Sequence, residues 1–402
     1  MKQRTICMLT THHSPLDSRI FYKEALSLKA HGYSLIVITA SEDQNTVFQG
    51  IAIQGFRVNR ILRALSRILL LDWISIFRLA WVAVRMDCEV YHAHEFDSLI
   101  SAWMCRAYKR RIGNLVKMVY DVHEWYPEFS DYGLRNSFRF KVFRTLDRFL
   151  ARRADLIIAT EHEKAQRYET YRDKKDVLVL GHYPRLNGVS LDNPFETRQK
   201  RPWVVGYVGD LTMDRGDLTV LEGVRRVQER TGSRIDVIYV GDFSVPEHRK
   251  VVMEYARRNG ISLEITGRVL HEHVSQQIAR MDICLAILHP KPYLVHAVPI
   301  KLFEYMVCGK PILASNLGNI RRILDESGAG ITVNPSDTDA LAEGLLRLLE
   351  DPDLRRTMGQ AGLRYIQNDH HWAVLEKKLL TAYADMCGGP NDRGPRWLEE
   401  DR

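Results

Sequence analysis

The amino-acid sequence predicts an α/β protein of two Rossmann-like domains facing a central cleft. Three observations predict it. Short apolar runs alternate with amphipathic helical patterns over residues 1–185, as in a parallel sheet covered on both faces. A polar, proline-containing stretch, YPRLNGVSLDNPFETRQKRP, breaks the alternation, and residues 186–202 read as a linker. The alternation restarts over residues 203–370 with a second βα series of similar size. Residues 371–388 read as a terminal helix and 389–402 as a disordered tail.

The first series opens with TICMLT as a strand and SRIFYKEALSLKAHG as a helix. YSLIVITA and IAIQGFRV follow as strands, and a long helix ends at Met86. EVYHAH is a strand, SLISAWMCRAYKRR a helix, KMVYDVHE a strand, FRFKVFRTLDRFLARRA a helix, and DLIIAT and VLVLG short apolar strands. In the second series WVVGYVG, IDVIYVG, LEIT, ICLAIL, PILAS and AGITV are strands with helices between them. Ligands of such sheets bind beyond the carboxyl ends of the strands, so chemistry-bearing residues are expected there.

The chain has 402 residues, 45% hydrophobic and 27% charged, which is globular composition. A formal net charge of +7 spread over this length does not point to nucleic acid. Cys7, Cys88, Cys105, Cys284, Cys308 and Cys387 form no CxxC pair and read as buried thiols in a reducing compartment. No HxxxH or HExxH spacing occurs, so no metal site is expected. The N-terminal apolar run TICMLTT is too short for a signal-peptide core. Asp72 and Arg78 interrupt the apolar region Ile68–Val84, which argues against a spanning helix. A cytoplasmic protein is expected, with a peripheral location on the inner face of the cytoplasmic membrane suggested by RVNRILRALSR. There Arg57, Arg60, Arg63 and Arg67 alternate with aliphatics at helical spacing, as in an interfacial helix on anionic lipid. A core helix with water-facing arginines is the competing reading, most of all for Ile68–Val84.

Three constellations follow strands. In GYVGDLTMDRG, Gly209 opens a turn and Arg215-Gly216 precedes a helix; the glycine admits a close ligand and the arginine suits a phosphate. In VHAVPIKLFEYMVCGKPILAS, Pro299 suits a helix start, and N–H groups from Ala297 to Lys301 suit an anion. Glu304, one turn in, suits two ribose hydroxyls. A solvated Lys301–Glu304 pair on a surface helix is the plain alternative. In the first half, TTHHSPLDSR, VYHAHEFDS and VYDVHEWYPE place His12, His13, Asp17, Arg19, His94, Glu95, Asp121, His123 and Glu124 at three neighbouring strand ends.

Together these residues resemble the retaining glycosyltransferases of the GT-B fold, family four, over nearly the whole chain to about residue 386. The strongest match is PIKLFEYMVCGKPILAS, close to that family's P-x-K-x-x-E-Y-M-x-x-G-K-P-(I/V) signature; YDVHE resembles its acceptor-domain histidine motif. The resemblance implies a terminal helix crossing back to the N-terminal, acceptor-binding domain and a nucleotide-sugar donor in the C-terminal domain. It implies His123 and Glu304 as catalytic: His123 near the anomeric centre, Glu304 on the donor ribose. It puts the donor against Gly209, Arg215, Gly267, Val269, His296, Val298, Ile300 and Lys301, and the acceptor against Asp17, Arg19, His94 and Glu124. Two positions depart from the family pattern. His296 stands where the first glutamate of E-x7-E is usual, and Asp210 where an arginine is usual. The first loop also lacks the family's Gly-Gly pair.

The implied reaction moves a hexosyl group from an NDP-sugar to an acceptor hydroxyl with retention, in cell-surface polysaccharide or glycolipid assembly. It needs no cofactor or metal, because Arg215, Lys301 and helix N–H groups meet the leaving diphosphate. The partners are the nucleotide-sugar, a carbohydrate or lipid-linked acceptor, and an anionic membrane surface. Two other classes stay open: a sugar-nucleotide epimerase of the same fold, and a non-catalytic nucleotide-sugar binding protein.

Overall fold

The computed structural model describes residues 3–43, 45–58, 72–123, 138–171, 176–186, 202–291, 294–295 and 297–388. Most of the linker, the arginine-rich segment at 59–71, Glu124 and His296 lie outside them. The chain forms two compact units, Met1–Gly181 with Ala373–Arg402, and His182–Trp372. The division falls just ahead of the stretch whose composition marks a linker. Tyr183 shows why: its ring packs on Phe303 at 5.3 Å and His370 at 5.1 Å, so this segment already belongs to the second core.

The first unit contains β1 (Thr5–Thr10), β2 (Ser34–Thr39), β3 (Asn45–Phe48), β4 (Ile51–Gly55), β5 (Val90–His94), β6 (Lys117–Val122), β7 (Leu156–Ala159) and β8 (Val177–Val179). They form one eight-stranded sheet in the order β3-β4-β2-β1-β5-β6-β7-β8. All neighbours pair in parallel except β3 with β4. β3 was not expected: all four of its residues are exposed, so no apolar alternation announces it. The helix after β1 also differs, beginning as a π-helical Ile20–Ala25 before α1, Leu26–Ala30. In α2 (Trp73–Ala83), Asp72 is the N-cap: its carboxylate accepts from the Ser75 N–H at 3.2 Å and hydroxyl at 2.7 Å. The acid that interrupts the apolar run therefore starts the helix. α3 (Phe96–Arg111), α4 (Phe138–Ala151) and α5 (His162–Glu169) complete the βα series. The chain runs from β1 outward to β2 and then from β5 outward the other way. The switch point lies between β1 and β5.

The second unit repeats this plan with β9 (Trp203–Val208), β10 (Ile235–Val240), β11 (Ser262–Ile265), β12 (Ile283–Ala286), β13 (Ile312–Ser315) and β14 (Gly330–Val333). The order is β11-β10-β9-β12-β13-β14, all parallel, so this switch point lies between β9 and β12. Its helices are α6 (Asp217–Thr231), α7 (Pro246–Arg258), α8 (His271–Ala279), α9 (Ile300–Val307), α10 (Gly318–Ser327), α11 (Thr338–Glu350) and α12 (Pro352–Asp369). The last helix, α13 (Trp372–Cys387), returns to the first unit. Leu379 and Tyr383 are fully buried there, and Tyr383 stacks edge-on against Tyr33 at 5.9 Å.

Candidate active site

At the second unit's switch point, α9 is fixed by Tyr305. Its hydroxyl accepts from the Val208 N–H at 2.9 Å and donates to the Leu285 carbonyl at 3.0 Å, tying the helix to the ends of β9 and β12. Ser315 secures the next loop by donating to the Leu288 carbonyl at 2.8 Å and accepting its N–H at 2.7 Å. The sequence motif therefore carries anchoring residues among the ligand-facing ones, and the role of Tyr305 was not read from it.

Lys301 is 6% exposed, which rules out the plain reading of a solvated surface pair. Its Nζ lies 3.6 Å from the Tyr207 ring centroid and has no hydrogen-bond partner. Burial drives the ammonium well below the usual lysine range; the Arg215 cation adds to this, and Glu304 and Asp210 oppose it. Gly209, with φ +124°, makes the room, since a Cβ there would stand 3.1 Å from that Nζ. Burial pushes the Tyr207 phenol up to about 12 despite the nearby Arg215. Arg215 ends a short 3-10 turn, Met213–Arg215, and the His289 N–H bonds the Asp214 carbonyl at 2.8 Å, joining the loops that follow β9 and β12. Asp210 lies 3.7 Å from Arg268 in an exposed pair. Glu304 is half-buried, one turn beyond Lys301. Gly267, at φ +72°, Val269, Val298 and Ile300 line the neighbouring strand ends and helix start as partly buried residues. One expectation is corrected: the Ala297 N–H is not available to an anion, because it donates to the Leu294 carbonyl at 3.1 Å.

At the first unit's switch point, β6 delivers Asp121 and His123. The His123 Nε2 lies 3.0 Å from Asp121 Oδ2, and the His94 Nδ1 3.3 Å from the same oxygen. Arg19 forks onto Asp121 at 3.1 Å through both Nε and Nη2. The Asp121 carboxylate is fully buried, which opposes its charge, but Arg19 and His123 outweigh this and hold it well below the usual range. The His123 carbonyl accepts from Lys164 Nζ at 2.6 Å. His13 packs on the His123 ring at 4.8 Å and reaches Glu95 at 3.2 Å. Glu95 sits at φ +98°, strained for a non-glycine residue, and its carboxylate gathers the hydroxyls of Thr10 at 2.7 Å and Thr11 at 3.1 Å. Asp17 is held below the usual carboxylate range: burial raises it, and His13 and the Ile20 N–H overcome that.

Arg19 and His94 do not face an acceptor as expected. Arg19 is 2% exposed and His94 fully buried, and both hold Asp121 instead. Glu24, also fully buried, belongs to this cluster but was not singled out, because it sits in mid-helix with nothing in the sequence to set it apart. Glu24, His92, His94 and Asp121 each bring one metal-competent atom within 4.8 Å of the others, with the Arg19 guanidinium already among them. All six cysteines are free, five of them buried. Among the described residues no helix is long and apolar enough to cross a membrane.

Two largely parallel, helix-covered sheets, with charged side chains gathered at both switch points, have the plan of the GT-B glycosyltransferases. The profile described as Glycosyltransferase Family 4 matches residues 18–181, and that described as Glycosyl transferases group 1 matches residues 202–351. The chain belongs to this family of group 1, family four glycosyltransferases, and is an enzyme of that class. It is 20% identical over 323 residues to N-acetyl-alpha-D-glucosaminyl L-malate synthase of Bacillus anthracis, covering 77% of this chain and 78% of that one. It is 25% identical to alpha-D-kanosaminyltransferase of Streptomyces kanamyceticus over 158 residues, which is 39% of each. Sucrose-phosphate synthase from Thermosynechococcus elongatus superposes with a TM-score of 0.70 at 17% identity, over 96% of this chain and 99% of that one. Anabaena HepE, solved with UDP and glucose, does so with 0.70 at 16% identity, over 95% and 100%.

Proposed function

We propose that this chain transfers a hexosyl group from an NDP-sugar to an acceptor hydroxyl with retention of anomeric configuration, in assembly of a cell-surface polysaccharide or glycolipid. The observation that carries this reading is Lys301: a buried ammonium without an acceptor, beside a glycine turn and Arg215, at the point where an α/β sheet takes its ligand. A diphosphate supplies the missing acceptor. The UDP-bound HepE supports a nucleoside diphosphate of this kind.

In this reading Glu304 holds the ribose, and Lys301 and Arg215 stabilise the charge growing on the leaving diphosphate. No metal is required for that step. We assign no covalent nucleophile. The sugar leaves and is attacked on one face, the departing phosphate oxygen accepts the acceptor's proton, and the glycosidic bond forms as the sugar–phosphate bond breaks. His123 orients the transferred sugar, with its Nε2–H committed to Asp121.

Incubation with labelled UDP- and GDP-sugars, with and without membrane extract and with and without a chelator, tests this. Acceptor-dependent, chelator-resistant transfer with a retained anomer is expected. Product without acceptor identifies an epimerase, and binding without product identifies a non-catalytic protein.

A further inference from the structure

Beneath His123 lie charges that the transfer reading leaves unused. Arg19 Nε stands 2.9 Å from Glu24 Oε1 as well as 3.1 Å from Asp121 Oδ2. Its N–H groups point elsewhere: Nε and Nη2 donate to Asp121, and Nη1 to the Leu180 carbonyl at 2.6 Å. Neither Glu24 oxygen receives a hydrogen bond from a donor. Two fully buried carboxyl groups thus share one guanidinium, and with His123 turned to Asp121 the Glu24 charge is the one left unmet.

Three things can balance it. A protonated histidine against Glu24 is disfavoured: His123 is taken by Asp121, and burial drives both His92 and His94 below their ordinary value. A metal ion would have to sit against the guanidinium already lodged between the two carboxyl groups. A proton remains. We propose that Glu24 is a neutral carboxylic acid and a positioning residue: as an acid it leaves the Arg19 fork to Asp121, and so keeps Asp121 aimed at His123. The surroundings agree. Burial raises the Glu24 carboxyl well above its ordinary value, the Asp121 charge raises it further, Arg19 opposes this, and a side-chain hydrogen bond to Asp121 and the Asp17 charge add to it. From β5, His92 Nε2 approaches Glu24 Oε2 at 3.7 Å. From α13, Tyr383 bonds His92 Nδ1 at 2.8 Å and adds no charge, because burial holds its phenol protonated. An ionised Glu24 would compete for Arg19 and loosen the histidine.

The part played through His123 rests on the transfer reading; the neutral acid does not. Glu24→Gln and Glu24→Ala in the full chain separate the two. The folded state keeps a proton that the unfolded chain loses above about pH 4.3. Wild-type stability therefore falls as pH rises through the interval up to the raised folded value, by up to about tenfold in the folding constant per pH unit. Glutamine has no such proton, so the Glu24→Gln melting temperature should gain on wild type steadily from pH 5 to pH 8. In transfer assays kcat should be at least tenfold higher for Glu24→Gln than for Glu24→Ala, at similar donor KM. A melting difference that is flat with pH, or stoichiometric metal in purified wild type that Glu24→Gln lacks, overturns the neutral acid. Equal kcat in the two variants overturns the positioning role. Absence of transfer in every variant, with the pH slope present, sinks the function and leaves the acid standing.

Discussion

Lys301 Nζ lies over the Tyr207 ring, 3.6 Å from its centroid, where the ring face offsets part of the cost of leaving water. An ammonium so placed gives up its proton more readily than a free lysine, chiefly because of burial. An arriving diphosphate restores the advantage of the charged form. Above the lowered pKa of the free protein, binding must therefore take up a proton, and apparent affinity must fall as pH rises. Calorimetric titration with UDP or GDP at pH 8, in buffers of different ionisation enthalpy, should show net proton uptake. Lys301→Met should abolish it. Equal uptake by wild type and variant would place the titrating group elsewhere.

Glu304 should be a donor-binding carboxylate whose loss leaves the fold intact. Hydrogen bonds to a charged group contribute about 1.5–3 kcal/mol each. Glu304→Ala should weaken nucleotide affinity by at least tenfold with an unchanged melting temperature. Wild-type affinity and turnover in that variant would refute the assignment.

His123 and Arg215 should part company in kinetics. His123→Ala should lower the transfer rate and leave nucleotide affinity nearly unchanged, because its partner is Asp121 in the first unit. Arg215→Ala should raise the nucleotide dissociation constant, because it sits beside Tyr207 and Lys301. A loss of both properties in each variant would erase the division of labour.

What was legible in the sequence depended on how local its cause was. The strands of both sheets other than β3 were legible as short apolar runs. β3, an edge strand paired with β4, has no such pattern. Lys301 stood out because a lysine is conspicuous in an apolar segment. Glu24 did not, because its meaning comes from Arg19, His92 and Asp121, which only folding brings to it. For the same reason Arg19 and His94 were read as acceptor contacts: their residue type suits a ligand, while their burial is a tertiary fact. Arg268, the cation nearest Asp210 in an ion pair, also lies in a different loop.

The terminal helix should be required for stability. The Tyr383 hydroxyl meets His92 Nδ1 at 2.8 Å, both groups buried. Tyr383→Phe leaves that nitrogen unpaired and should cost about 1–3 kcal/mol. Truncation before His371 removes the whole apolar face of α13 and should give insoluble protein. A soluble, fully active truncation would overturn this, as would an unchanged denaturation midpoint for Tyr383→Phe.

The final prediction concerns the membrane. Phe77 and Trp81, one turn apart on α2, are 52% and 61% exposed, and Arg85 covers the Trp81 ring at 3.6 Å. Large aromatics beside arginines suit the boundary between lipid headgroups and acyl chains. Arg57 is exposed; Arg60, Arg63 and Arg67 precede α2 in the segment outside the described residues. Each basic residue near an anionic surface contributes about 1 kcal/mol, and the aromatics add a term that salt does not screen. Charge reversal at Arg60, Arg63 and Arg67 should release the protein from anionic vesicles at low salt. Phe77→Ser with Trp81→Ser should weaken the binding that persists at high salt. Neither set should change nucleotide affinity, since both lie in the unit that does not carry Lys301. Transfer to a lipid-linked acceptor should slow in both, and transfer to a soluble acceptor analogue in neither. Wild-type protein that ignores anionic vesicles at low salt would sink the idea and favour a soluble acceptor.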